Sequence, residues 1–258
     1  MQAWSYDMFK VNFHRLSGIN LTDYKERQMK RRIDSLISRY GYKGYGDFYH
    51  DVCRDVNLYK RFVQYLTINV SEFFRNPEQW DILKGEILPY LLGNHGDIKI
   101  WSSACSTGEE PYSLVMMLNE FMTPDKIRIL ATDIDEGALE RASWGEYPPR
   151  SLACLPQGYK ERYMSRQGEL YRVSSRIKGC VTFRRLNLLE DGYPARCHLI
   201  LCRNVMIYFT EEAKERIYHG FHQSLVPGGI LFVGNTEQII NPKRYGFETL
   251  KSFFYRRV

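Results

Sequence analysis

The stretch that most constrains this chain is residues 101–113. Alternating residues 98–101 predict a strand. Five small residues, Ser102 to Ser106, predict a tight turn, and Glu109 with Pro111 predicts the first turn of a helix. A strand that enters a helix through a small-residue turn is how an open α/β sheet holds a nucleotide-like ligand at the strand's carboxyl end. The turn has neither the lysine of a phosphate loop nor the G-x-G-x-x-G spacing of a dinucleotide fingerprint. Two carboxylates, Glu109 and Glu110, stand at the helix start instead. They would repel a pyrophosphate and attract a cationic ligand, such as an amine or a sulfonium. They would also complement the helix dipole, so the pair has a purely structural reading as well.

With 258 residues the chain can form one large or two small domains. No apolar run approaches the roughly 18–20 residues of a membrane span. Residues 1–6 carry no leader pattern, so a cytoplasmic protein without membrane insertion is expected. Six cysteines without a C-x-x-C pair suit reduced thiols and argue against a metal site. The nearest approach to one, Cys197, His198 and Cys202, falls on an alternating strand whose side chains face opposite ways. A net charge of +6 asks for an acidic partner: nucleic acid, anionic lipid or an acidic protein surface.

Residues 1–66 read as a small helical domain. Phe9, Phe13 and Leu16 lie at helical spacing, and Gly18 ends that element. Asp23 and Glu26 suggest a capping box for a helix over 24–40, with Met29, Ile33, Leu36, Ile37 and Tyr40 as its core stripe and Gly41 as its stop. The opposite face carries Arg27 and Arg31, flanked by Lys30 and Arg32. One-signed charge without matching acids points outward to an acidic partner, the alternative being a solvated face. Shorter helices are predicted near 47–53 and 58–66. Residues 67–95 read as a linker and connecting helix: an unusually apolar 67–77, a helix over 78–92 interrupted near Pro89, and a turn at 93–97.

From 96 to 258 strands and helices alternate, which implies a parallel sheet with crossover helices. Strands are predicted at 98–101, 127–132, 198–202 and 230–234, and helices at 109–121, 136–142 and 211–225. The rhythm breaks over 143–180. Residues 170–173 and 181–183 there read as strands of a small antiparallel insertion, a β-subdomain over about 166–185. Residues 247–257 read as one edge strand.

Four signals coincide at predicted strand ends: the turn 103–108, Asp133 placed for ribose hydroxyls, Asn187 and Leu188 placed for an adenine through side-chain amide or backbone, and Arg203 with Asn204. An acid after a strand is often only a helix cap. The four together fit an S-adenosylmethionine fold better than a dinucleotide fold.

Residues 69–75, 101–113, 131–135 and 202–209 closely resemble the chemoreceptor glutamate O-methyltransferases, the CheR family, and the resemblance spans nearly the whole chain. It implies an α/β class: a helical N-terminal substrate-docking domain plus a class I, Rossmann-like methyltransferase domain with a small antiparallel insertion. It implies S-adenosyl-L-methionine as cofactor, S-adenosyl-L-homocysteine as product, and glutamate carboxylates on the cytoplasmic helical region of membrane-bound chemoreceptors as substrate, in sensory adaptation. Cofactor contacts are implied for Asn69, Ser71, Arg75, one of Glu109 and Glu110, Asp133, Asn187, Leu188, Arg203 and Asn204. Ser71 stands where threonine is familiar in the family, and the hydroxyl is kept.

An ionised glutamate needs no general base, and no nucleophile–base constellation is visible; it needs alignment and removal of its water. Arg75 and Tyr208 are the candidates for orienting it. Arg27, Lys30, Arg31 and Arg32 are the candidate docking residues, since methylation sites in such receptors lie on helices rich in Glu and Gln. A monomer without nucleic-acid partner is expected. The competing readings are a nucleic-acid methyltransferase, whose Asn/Asp-Pro-Pro-aromatic motif Tyr147 to Arg150 matches only superficially, and a non-catalytic binding module.

Overall fold

The computed structural model describes residues 4–258; the first three residues of the helical domain, and with them half of the leader reading, lie outside the described residues. Helices α1 (Tyr6–Ser17), α2 (Glu26–Arg39), α3 (Tyr45–Arg54) and α4 (Val56–Thr67) build the N-terminal part. Its centre is aromatic. Phe13 and Phe48 both meet Phe62 edge-on at 4.9 Å. Gly18, at φ 71°, ends α1 by returning its N–H to the His14 carbonyl.

Met29, Ile33, Leu36 and Ile37 form the buried stripe of α2, but Tyr40 is 42% exposed. It is the C-cap, past the last turn, where Gly41 at φ 76° leads the chain away. The expected capping box does not form. Lys25 is the N-cap and makes no side-chain capping bond. Asp23 instead ends a 3-10 turn, and its carboxylate is drawn to Arg216 of the other domain.

The connecting helix runs as α5 (Pro77–Ile82), a π turn (Leu83–Ile87) and α6 (Leu88–Asn94). Pro89 has no N–H to continue the α ladder, and the wider turn before it lets the helix run on. The interruption is therefore a bulge, and Gly93 and Asn94 are helical where a turn is expected.

Next come β1 (Ile100–Ser102), α7 (Glu109–Leu118), β2 (Ile129–Asp133), α8 (Glu136–Trp144), β3 (Glu146–Tyr147), α9 (Gln157–Tyr163), β4 (Met164–Gln167), β5 (Leu170–Val173) and α10 (Ser175–Lys178). They are followed by β6 (Val181–Arg185), β7 (Cys197–Cys202), α11 (Glu211–Ser224), β8 (Leu225–Val233), β9 (Phe247–Lys251) and β10 (Phe254–Arg257). Among the described residues the main sheet has the order β6-β2-β1-β7-β8-β10-β9. It is parallel except for the β8–β10 and β10–β9 pairs. Direction of strand progression reverses between β1 and β7, which is where such sheets bind ligands. Among the described residues no helix is long and apolar enough to cross a membrane.

Two strand assignments differ from the expectation. Residues 181–185 do not belong to the insertion. They pair in parallel with β2, Val181 beside Ile129 and Arg185 beside Asp133, as an edge of the main sheet. The insertion's sheet is β3-β5-β4, spanning 146–173 rather than 166–185. The chain's end is not one edge strand but a hairpin with Phe253 at φ 70°; β10 lies inside, against β8, and only β9 is at the edge.

Candidate active site

A cleft opens at the carboxyl ends of β1, β2 and β7 and is covered by segment 66–75. Its floor is the turn after β1. Ser106, at φ 48°, aims its N–H at Asp133 Oδ2, 2.8 Å away, and the Asp135 N–H donates to the other oxygen at 3.0 Å. Burial pushes the Asp133 carboxyl up to about 6 against these donors. Gly108 starts α7 at φ 92°, and a Cβ there would lie 2.9 Å from Ala142 Cβ. Only glycine serves at that position.

The linker is fastened across this floor. Asn69 Oδ1 accepts from Ser106 Oγ at 3.0 Å, while Asn69 Nδ2 and Thr67 Oγ1 both donate to Asp135, at 2.5 and 3.1 Å. The Phe73 N–H donates to the Ser151 carbonyl and the Phe74 N–H to Ser113 Oγ, both at 3.0 Å.

Successive residues on a helix point about 100° apart, and the two acids of the pair face different clefts. Glu110 lines the main cleft and Glu109 does not. Glu110 accepts from Ser102 Oγ at 2.8 Å and lies 3.4 Å from Arg203 Nη1. Burial raises its pKa, and the Arg203 charge opposes the rise. Glu109 turns into a neighbouring cleft with Thr107, Tyr147 and Ser151. It accepts from Thr107 Oγ1 at 2.6 Å, and the hydroxyls of Ser71 and Ser151 also hold its pKa down against burial.

Arg203 ties the cover to β7. Its Nη2 donates to the Arg75 carbonyl at 2.7 Å and to Gln79 Oε1 at 3.0 Å, and its guanidinium lies 4.7 Å from the Phe232 ring centroid. Ser71, Asn204, Asn187 and Leu188 also line the cleft. The Asn187 amide, however, donates to the Gly18 carbonyl at 2.8 Å, and its Oδ1 accepts from the Leu189 N–H at 3.0 Å. These bonds tie Asn187 to the helical domain and engage one of its two amide hydrogens and one of its two oxygen lone pairs.

Arg75 lines both clefts, with Nη1 donating to the Val70 carbonyl at 3.1 Å. Tyr208 lies on a 3-10 turn after β7, and burial raises its pKa, so the hydroxyl keeps its proton at neutral pH. It lines the main cleft and also a small cavity with Lys25, Gln28, Arg31 and Arg32.

The basic candidates on α2 lie outside the main cleft and differ from one another. Arg27 and Arg31 are exposed. Lys30 has a matching acid after all: Asp34, one turn on, at 2.8 Å. Arg32 lies 4.7 Å from the Tyr65 ring centroid and donates to the Tyr65 carbonyl.

Sequence reasoning missed two acids. Asp135 is both the N-cap of α8 and the anchor of Thr67 and Asn69. Glu237, buried in the turn after β8, accepts four backbone N–H groups, among them those of Asn204 and Met206 at 2.6 Å. Nothing in its local sequence marks it.

A parallel sheet with its cleft at the switch point, acids in place of a phosphate loop, and a helical domain set over the opening together define a two-domain S-adenosylmethionine-dependent methyltransferase. Residues 69–254 match the family model described as CheR methyltransferase, SAM binding domain, and residues 5–67 match CheR methyltransferase, all-alpha domain. The chain belongs to the CheR methyltransferase family, and the family, fold and cofactor implied by the sequence resemblance are confirmed. It is 44% identical to the chemotaxis protein methyltransferase of Listeria monocytogenes, covering 92% of this chain and 91% of that one. It is 34% identical to the chemotaxis protein methyltransferase of Salmonella typhimurium, covering 87% and 80%. Among solved structures it resembles a TehB-like SAM-dependent methyltransferase from Corynebacterium glutamicum, with TM-score 0.40 and 14% identity over 70% of this chain and 94% of that one.

Proposed function

We propose that this enzyme methylates glutamate side-chain carboxylates on the cytoplasmic helical region of chemoreceptors, acting as a cytoplasmic monomer. The observation that carries the reading is the place of Tyr208. It belongs both to the acid-lined cleft and to the basic cavity against α2. A carboxylate arriving from the α2 side would meet its hydroxyl at the boundary between the two.

The cofactor supplies an electrophilic methyl on a positively charged sulfur. The donor set suits it: Glu110 for its cationic amino group, Asp133 for its paired ribose hydroxyls, and Ile134, Leu188 and Phe209 as apolar flank. Arg75 and Tyr208 orient the incoming carboxylate by hydrogen bonds and displace its water. No general base is needed, because the acceptor is already ionised at neutral pH. Ser71, Asn69, Asn187, Leu188 and Asn204 complete the cofactor's surroundings. Arg203 acts by holding Glu110 and the Arg75 backbone in place.

Arg27 and Arg31, exposed and without an ion pair among the described residues, present their charge to acidic residues around the receptor's methylation sites. Lys30 and Arg32 contribute field while serving the domain itself. The test offers labelled cofactor with receptor-rich membranes and with duplex DNA in parallel. Label is expected in receptor protein alone; label in DNA would overturn the reading.

A further inference from the structure

The loop after β7 has little regular structure of its own beyond the 3-10 turn Met206–Tyr208. Its second residue, Asn204, stands at φ 60°. A non-glycine residue held left-handed persists where its surroundings over-determine it.

Here much of that determination comes from one side chain. Glu237 Oε2 accepts the N–H of Asn204 at 2.6 Å and of Gly234 at 2.9 Å, and Oε1 accepts those of Met206 at 2.6 Å and Ile207 at 3.3 Å. The residue is 5% exposed. Its charge is answered by these amides, which oppose the upward push of burial on its pKa. A carboxylate suits this position as no neutral side chain does, because both of its oxygens accept and neither donates. The approach is close as well: a Cβ on Gly234 would lie 2.4 Å from Oε2 and 3.0 Å from the Asn204 nitrogen.

We infer that Glu237 is a positioning residue for methyl transfer, its carboxylate fixing loop 203–209 so that Asn204 and Tyr208 reach the cleft. The inference rests on the roles proposed above for those two residues. Glu237 itself does not line the cleft. It acts through the amides it binds.

Glu237→Gln keeps the size but turns an NH₂ group toward one pair of amides. Its kcat, at saturating cofactor and receptor, is measured in the parent and in a Tyr208→Phe background, together with the Kd of S-adenosylmethionine by titration calorimetry. The expected pattern is about a tenfold loss of kcat in the parent, less than about a twofold further loss in Tyr208→Phe, and about a fivefold weaker Kd through Asn204. A folded Glu237→Gln protein with kcat and Kd within about twofold of the parent overturns the inference, and so does a kcat loss that repeats in full in Tyr208→Phe.

Gly234→Ala, which keeps the carboxylate but crowds it, is the second variant should Glu237→Gln fail to fold. The same pattern supports the inference, and parental kinetics overturn it. If Tyr208→Phe alone retains full kcat, the role of Tyr208 falls and the kcat comparison in that background no longer applies. Glu237 is then decided by the cofactor Kd: weaker binding supports it and unchanged binding overturns it.

Discussion

The backbone N–H of Lys25, the N-cap of the basic helix α2, donates to the carbonyl of Tyr208 at 2.9 Å. The Thr210 N–H donates to the Asp23 carbonyl at 2.9 Å, and Tyr24 bridges Phe209 in antiparallel fashion. The start of α2 and the Tyr208 loop are therefore joined by backbone bonds. A partner seated on α2 lies at a fixed offset from the Tyr208 hydroxyl.

Reversing the exposed charge at Arg31 tests that seat. Arg31→Glu is expected to raise the apparent KM for receptor about tenfold while the cofactor Kd stays unchanged. Arg32→Glu is expected to behave differently and lower the melting temperature, because Arg32 packs on Tyr65 and binds its carbonyl. Steady-state kinetics and thermal melts separate the two.

Arg75→Ala is expected to cost more activity than any single change within Ser102 to Thr107, about a hundredfold in kcat. The turn offers mostly backbone and small side chains, each replaceable in part. Arg75 brings a forked donor to the boundary of two clefts, while its carbonyl, the part bound by Arg203, survives the substitution.

The two adjacent acids are expected to separate by assay. Glu110→Gln weakens cofactor binding about tenfold, because the acid in the cleft loses its charge. Glu109→Gln leaves cofactor binding nearly intact and lowers stability by about 1–2 kcal/mol, because one acceptor oxygen of a buried group that serves several hydroxyls becomes a donor. Calorimetric titration and denaturant melts of both variants check this.

Cofactor affinity should depend on pH through Asp133. Burial lifts its carboxyl to about 6 in the free enzyme. Ribose hydroxyls donate to the ionised form, so binding favours the deprotonated acid. Affinity is then full above that pKa and falls as pH drops through it, by up to about tenfold per unit. Asp133→Asn should flatten the profile between about pH 5 and 7.

Much of the fold is legible in the sequence because alternation and helical spacing mark elements directly. What periodicity does not specify is a strand's partner. Residues 181–185 carry exposed Thr182, Arg184 and Arg185, as a surface hairpin would, yet they pair in parallel beside β2. The hairpin at 247–257 reads as one strand because Phe253 makes its turn with an aromatic at φ 70°.

In the cleft, the residue types at strand ends are visible in sequence. The helix rotation that selects Glu110 over Glu109 is not, because it is set by packing. Glu237 was invisible for a similar reason. Three of its four donors, the N–H groups of Asn204, Met206 and Ile207, are brought to it by the return of β8 alongside β7.

The measurement that tests the account most directly is the chemistry of the transferred methyl. Receptor-rich membranes are labelled with tritiated-methyl cofactor and then treated with mild base. Release of the label as volatile methanol, with the label of untreated samples mapped to glutamate residues, is the predicted result. Label that survives base would contradict methylation of a carboxylate.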